Sequence, residues 1–190
     1  MYYSIEKMLE KIEEPNRTAC KGLLNENEVL FKTVQGSTRN HQAWKGGYWD
    51  HVQEVMNIAL LFYPLLDFKR GIKFTIGEAL LILFLHDLEK PWSYELGPDG
   101  ESRRKWGLLT KIEQQKFRDQ KLKEYGIELL PDQAIAMKYV EGELNEYTNK
   151  KRMMNELAAF CHMCDVWSAR GWYNHPLEKD EPWGSRQFKR

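Results

Sequence analysis

The sequence predicts an all-α protein, an irregular helical bundle that forms a single domain over residues 1–190. Three observations favour this class. Apolar residues recur with a helical period along most of the chain, two segments have the pattern of a helix capping box, and no alternation of strand and helix patterns occurs. A chain of 190 residues that is 42% hydrophobic and 29% charged also has the size and composition of one globular domain.

The predicted helices are separated by short stretches rich in glycine, proline and polar residues. Pro15 is expected to end the first helix, Gly46 and Gly47 precede the third, and Gly171 ends the last. In chain order, the predicted helices cover about residues 4–14, 22–33, 48–62, 78–88, 111–125, 131–147 and 151–170.

The fourth helix has the clearest pattern. Thr75 and Glu78 are spaced as a capping box, in which each side chain bonds the backbone N–H of the other residue. The following segment, Ala79–Leu85, is apolar on nearly every face. Because a helix of this kind must be covered on all sides, we expect it in the middle of the bundle. Thr110 and Glu113 form the second capping box and open a charged surface helix.

Two regions are predicted to be irregular. The glycine-rich stretch 97–100 and the basic run Arg103–Lys105 are expected to form an exposed loop after Pro91. The residues after Gly171 contain two prolines and a glycine, and they are expected to form an irregular tail over 171–190.

The composition argues against several functional classes. Basic and acidic residues number 28 each, so the net charge is zero, and an extensive nucleic-acid interface is not expected. Three cysteines do not suggest a disulfide framework, and the CxxC pair Cys161 and Cys164 lies within a predicted helix, where core packing is expected. The N-terminus lacks the pattern of a signal peptide and the longest apolar run is too short to span a bilayer, so we expect a cytoplasmic protein.

Ionisable residues fall on apolar stretches of three predicted helices. His86 and Asp87 end the buried fourth helix, His51 lies on the third, and Asp165 lies on the last. A buried charge is costly unless something offsets it, and side chains on facing helices of a bundle can converge on one metal ion. Imidazole and carboxylate ligands suit a divalent transition metal such as Mn²⁺, Fe²⁺ or Zn²⁺. The sequence therefore predicts a metal centre held by these four residues, with positions left open for water and substrate.

The order and context of these residues resemble the HD-domain metal-dependent phosphohydrolases. A Gly-Gly pair at 46–47 precedes His51, the segment from His86 to Lys90 has a His-Asp-x-x-Lys form, and Asp165 is followed by Arg170. The resemblance spans roughly residues 40–170 and includes the small single-domain members that act on nucleotides. It implies one helical bundle of the HD type.

The resemblance also implies an activity and a set of roles. It implies hydrolysis of a phosphate ester or anhydride of a nucleotide, as in the dNTP triphosphohydrolases and nucleoside monophosphatases. The implied cofactor is a divalent transition ion (Mn, Fe, Co or Zn). Family members with more metals carry extra histidines before the last Asp, whereas this interval holds Glu141 and Glu143 and only His162 further on. One tightly held ion is therefore expected, and a second, weaker Mg or Mn ion is left open. Asp87 and Lys90 are the candidate catalytic residues. The candidate substrate-binding residues are Lys45, His41, Lys90, Arg170 and Trp92.

Two other functions remain open at this level. The Gly-Gly segment before His51 is also similar to that of HD-type phosphodiesterases, which act on RNA ends or on cyclic and signalling nucleotides. A non-catalytic HD domain that senses nucleotides or acts as a scaffold is the third possibility, although all four candidate ligands are present. The expected partner is a small-molecule nucleotide, and the oligomeric state, a homo-oligomer included, is left open.

Overall fold

A computed structural model describes residues 1–37, 40–96 and 102–173, and within these residues the fold is mostly helical. This confirms the all-α class. The α-helices are α1 (Ile5–Leu9), α2 (Asn16–Phe31), α3 (Gly47–Arg70), α4 (Ile76–Leu85), α5 (Lys111–Glu124), α6 (Pro131–Tyr139) and α7 (Glu156–Val166). Short 3-10 turns cover Lys90–Trp92 and Leu144–Glu146, and a π-helical turn, Trp167–Gly171, continues α7. None of the described helices is both long enough and apolar enough to cross a bilayer.

Helix α4 lies at the centre, as the sequence predicts. Every residue from Ala79 to Leu85 is buried, and α4 contacts α1, α3, α6 and α7. The capping box between Thr75 and Glu78 fixes its start, with both reciprocal hydrogen bonds formed. The hydrophobic core also includes side chains of α1 and α2, which precede the span of the family resemblance.

Several predicted boundaries are wrong for identifiable reasons. Helix α2 begins at Asn16, earlier than expected, where the Asn16 side chain is hydrogen-bonded to the backbone of Glu128. Helix α3 continues to Arg70. The sequence predicts an end at residue 62 because the second half of this helix is largely exposed and has no amphipathic pattern. Helix α6 ends at Tyr139, and Gly142, with φ of 107°, is incompatible with a continuing helix.

The last helix begins later than the sequence predicts. Residues 151–155 are not helical, and α7 starts at Glu156 because the extended Asn155 accepts a hydrogen bond from the backbone N–H of Ala158 at 2.8 Å. The α-helical pattern then changes to a π turn at Trp167.

The predicted exposed loop contains a small hairpin. Strand β1 (Tyr94–Leu96) pairs antiparallel with β2 (Ser102–Arg104), so Arg103 and Arg104 lie on a strand rather than in a loop. The glycine-rich stretch 97–100 lies outside the described residues, as does most of the predicted irregular tail, 174–190.

Candidate metal centre

The structure brings together the four residues that the sequence predicts as metal ligands. The Nε2 atoms of His51 and His86 are 3.2 Å apart, and Asp165 Oδ1 lies 3.2 Å from the first and 3.7 Å from the second. Asp87 Oδ2 lies 3.5 Å from His51 Nε2 and 3.3 Å from His86 Nε2. These residues come from the first turns of α3, the end of α4 and the last turn of α7. Three helices therefore converge on one point.

Both imidazoles turn their Nε2 atoms toward this point. His86 Nδ1 is 2.7 Å from the carbonyl oxygen of Leu83, which can only accept, so Nδ1 carries the proton. His51 Nδ1 is 3.1 Å from Ser168 Oγ, on the opposite side of its ring from the cluster. With their protons on Nδ1, the two neutral rings would face each other through lone pairs on Nε2. That arrangement requires a cation between them, either a metal ion or a shared proton.

The spacing of these atoms fits a metal ion. Among the described residues, His51, His86 and Asp165 form a group that could hold a metal ion, with one ligand atom from each within 4.8 Å of the others. Bonds of about 2.0–2.1 Å in tetrahedral geometry place neighbouring ligand atoms roughly 3.3–3.4 Å apart. The distances of 3.2, 3.2 and 3.7 Å lie near that value. The donor set and its dimensions therefore suit a divalent ion.

The charges of the centre are strongly coupled. Burial alone would lower the pKa of His86, but the nearby charges of Asp87 and Asp165 raise it to about 10. For His51 burial dominates and lowers the pKa. Burial would raise the pKa values of both carboxyls. Lys90 and His86 near Asp87, and the two imidazoles that contact Asp165, instead hold these pKa values well below their usual range. The pKa shifts thus favour two ionised carboxylates and a protonated His86 when no metal ion is bound.

Lys90 lies next to the four candidate ligands. Its ammonium forms an ion pair with Asp87 Oδ2 and lies 3.4 Å from His41 Nε2. Burial would lower the pKa of Lys90, but Asp87 raises it above its ordinary value, so the side chain is a cation. Burial and the charge of Lys90 together lower the pKa of His41 to about 3. His41 is therefore a neutral imidazole, and its ring centroid is 5.1 Å from that of His51.

The other candidate substrate-binding residues lie in different surroundings. Lys45 is exposed before α3, and Arg170 is exposed on the π turn. Trp92 is half-buried, and its ring packs against Phe31 and Phe117 at centroid distances of 5.8 and 5.5 Å. Their binding roles remain predictions.

Two other sequence features have structural partners of their own. Cys161 and Cys164 are free thiols buried in the hydrophobic core, as predicted for this CxxC pair. Between α6 and α7, Glu143 Oε1 accepts the backbone N–H groups of Met153 and Met154. His162 Nδ1 donates to the carbonyl oxygen of Val140 at 2.8 Å.

Sequence reasoning missed four residues that support the centre. Arg118 of α5 is buried and donates to the carbonyl oxygen of His86, at the end of α4. The other three, Gln42, Glu54 and Ser168, form a buried polar group behind His51. Burial raises the pKa of Glu54 to about 8, although hydrogen bonds from Ser168 and Gln42 act in the opposite direction.

A sequence signal existed for two of these residues. Glu54 lies three residues after His51 and Ser168 three residues after Asp165, so each is near its predicted ligand on the same helical face. A carboxyl within the apolar stripe of α3 needs a polar partner. Gln42 gives no such signal, because its role depends on how the loop before α3 folds.

Comparison of the chain with models of known protein families, with curated proteins and with solved structures finds no match.

Proposed function

We propose that the protein is a metal-dependent phosphohydrolase that acts on a nucleotide. The observation that carries this proposal is the convergence of two imidazole Nε2 atoms and the Asp165 carboxylate on one point, with Asp87 beside them. A divalent transition ion held there would polarise a phosphoryl oxygen and lower the pKa of a water molecule. Neutral imidazoles and carboxylates are suitable ligands for Mn²⁺, Fe²⁺, Co²⁺ or Zn²⁺.

The side of the centre at Asp165 and Lys90 is the more exposed one. The side chains of His51 and His86 are 0% exposed, whereas Asp165 retains 17% of its exposure and Lys90 retains 12%. A phosphate group approaching from solvent would therefore meet Asp165 and Lys90 first. The cationic Lys90 would bind a phosphoryl oxygen and offset the negative charge that develops on it. The neutral His41, 3.4 Å from Lys90 Nζ, would contribute a hydrogen bond to the same group.

Asp87 is suited to orient the attacking water. Its carboxylate is 3% exposed and ionised, and the ammonium of Lys90 restrains one of its oxygens. A carboxylate held this way accepts a hydrogen bond from water in a fixed direction. Lys90 would thus act on both the water-orienting group and the phosphate.

The nucleotide class is supported by the resemblance to small HD-domain enzymes and by a sequence that contains 13% aromatic residues. The zero net charge favours a single nucleotide over a long nucleic acid. A phosphodiesterase that acts on RNA ends or cyclic nucleotides would use the same centre, so the substrate screen must include both classes.

The test combines metal analysis with a substrate panel. The protein is purified without chelator, its metal content is measured by mass spectrometry, and it is incubated with Mn²⁺ and NTPs, dNTPs, NMPs, cyclic dinucleotides or short RNA. About one transition ion per chain and release of phosphate, pyrophosphate or triphosphate are expected. The double variant His86→Ala/Asp87→Ala should lose both metal and activity.

His162→Ala is the matched control, because it removes a half-buried histidine whose Nδ1 bonds only a backbone carbonyl in the described structure. It should retain the metal and the activity. Absence of both metal and turnover in the folded wild-type protein would refute the proposal and favour a sensor or scaffold role.

A further inference from the structure

A buried polar chain connects His51 to three residues outside the metal-ligand set. Ser168 Oγ lies 3.1 Å from His51 Nδ1 and 2.6 Å from Glu54 Oε2. Gln42 Nε2 lies 3.2 Å from each of these two oxygens. Ser168 and Gln42 are 0% exposed and Glu54 is 2% exposed. Gln42 and Ser168 are 126 residues apart in the sequence, so these residues meet only in the folded chain.

The positions of the protons in this chain follow from one backbone carbonyl. Gln42 Nε2 lies 3.4 Å from the carbonyl oxygen of Trp172, which can only accept, so the amide nitrogen rather than the amide oxygen faces this group. The amide has two N–H groups and three neighbouring acceptors, so one N–H is directed between Glu54 Oε2 and Ser168 Oγ, at 3.2 Å from each. The hydroxyl proton of Ser168 is directed to Glu54 Oε2 at 2.6 Å, the shorter contact. Any proton on the Glu54 carboxyl is then on Oε1.

These assignments leave Ser168 Oγ as an acceptor for His51. Because its own proton is donated to Glu54, the hydroxyl can interact with His51 Nδ1 only by accepting the Nδ1–H proton. The lone pair of His51 is consequently on Nε2, which faces His86, Asp87 and Asp165. Partners of this kind orient metal-binding imidazoles and fix their tautomer.

We propose that Ser168, Glu54 and Gln42 are positioning residues that hold His51 in its Nδ1–H tautomer and thereby set the metal affinity of the centre. The inference rests on the metal centre of the proposed function, but not on its substrate or reaction. His86 achieves the same tautomer through the backbone carbonyl of Leu83. His51 depends on side chains to hold this tautomer. Substitution of a residue that is not itself a ligand can therefore change the metal affinity.

The backbone around Gln42 supports this role. Gln42 has φ of 40°, a left-handed conformation that is unfavourable for a residue with a side chain. Two backbone hydrogen bonds hold it there. The N–H of Gln42 donates to the carbonyl oxygen of Tyr173 at 2.7 Å, and the N–H of Gly36 donates to the carbonyl oxygen of Gln42 at 2.9 Å. A Cβ at Gly47 would lie 1.8 Å from the same carbonyl oxygen, so only glycine permits this approach. The strain is thus retained where it places the amide behind His51.

The test uses Ser168→Ala, which removes the acceptor for His51 Nδ1. Zn²⁺ and Co²⁺ affinity is measured by competition with a chelator, and the ring nitrogens of the metal-free protein are examined by ¹⁵N NMR. We expect wild-type His51 to be protonated on Nδ1. In the variant we expect the proton to move to Nε2, where Asp165 can accept it, and metal affinity to fall about 10–100-fold.

A second variant and a control separate positioning from folding. Glu54→Met removes the acceptor of the Ser168 proton, so the hydroxyl can turn and donate to His51, and the same direction of change is expected. Ser93→Ala is the matched control, because Ser93 is a buried serine whose Oγ donates to the carbonyl of Glu89. It should bind metal like the wild type.

The outcomes are distinguishable. Unchanged metal affinity in folded Ser168→Ala and Glu54→Met proteins, or a wild-type His51 protonated on Nε2, would overturn the inference and leave the proposed function intact. A shift in tautomer and affinity in a protein that hydrolyses no nucleotide would support the inference and refute the proposed function.

Discussion

The ionisation of Glu54 makes a quantitative prediction about stability and pH. Glu54 is 2% exposed, and burial raises its pKa from 4.5 to about 8. Between these two values the folded protein keeps the proton while the unfolded chain loses it. Raising the pH across this range therefore favours the unfolded chain, and the stabilising contribution of protonated Glu54 is lost as the pH reaches about 8.

The size of the effect follows from the interval between the pKa values. At about 1.4 kcal/mol for each pH unit, an interval from 4.5 to about 8 corresponds to at most about 5 kcal/mol in the free energy of unfolding. The Glu54→Gln variant has no proton to lose at this position. The stability of the wild type relative to this variant should therefore fall by several kcal/mol between about pH 5 and pH 8, and should level off above.

The measurement is urea unfolding followed by tryptophan fluorescence and far-ultraviolet circular dichroism at a series of pH values. EDTA is included so that metal binding does not contribute. Glu6→Gln, which changes an exposed carboxyl of α1, is the control and should give a curve parallel to the wild type. If the Glu54→Gln curve is also parallel to the wild type, burial does not control this carboxyl and the reasoning is refuted.

Three further predictions concern the loop before α3, the candidate catalytic lysine and the core. Gly47→Ala should lower the unfolding free energy by about 2 kcal/mol or more and weaken metal binding, since a Cβ would lie 1.8 Å from the carbonyl oxygen of Gln42; chemical unfolding and a metal titration would measure both, and an unchanged protein would contradict the close approach of these two segments. Lys90→Met should reduce turnover about 10²–10³-fold while the metal content stays the same, because His51, His86 and Asp165 form the group that could hold the metal ion and Lys90 is not part of it; steady-state kinetics and metal analysis check this, and full activity would exclude a phosphate-binding role. Ile82→Ala should cost about 2–5 kcal/mol, and Ile82→Val only about 0.5–1.5, because this side chain is 0% exposed in the centre of the bundle; equal costs for the two variants in thermal or urea unfolding would argue against tight packing there.

Local interactions explain which elements could be predicted from the sequence. The capping boxes at Thr75 and Thr110 join residues three positions apart, so their sequence pattern contains both partners. The all-round apolar composition of Ala79–Leu85 likewise specifies burial without knowledge of its neighbours. The late start of α7 could have been predicted from Asn155, which is a favourable N-cap residue.

The candidate ligands could also be identified in advance, because an ionisable residue in an apolar helix needs a compensating partner. His51, His86, Asp87 and Asp165 each satisfy this criterion, and the structure places them together. Their order along the chain, with the Gly-Gly pair before His51, is the basis of the resemblance from which phosphohydrolase activity is expected. The predicted substrate, metal identity and catalytic roles stay predictions.

The sequence by itself determined the helical class, the central helix and the residue types of the centre, since these depend on periodicity and on neighbours within a few positions. The tertiary structure decided which atoms meet. Glu54 and Ser168 are 114 residues apart, and Gln42 reaches them only because Gly47 allows its strained backbone to approach α3. The contacts that orient His51 therefore join distant segments, and the local pattern around Glu54 and Ser168 does not specify that these two residues meet.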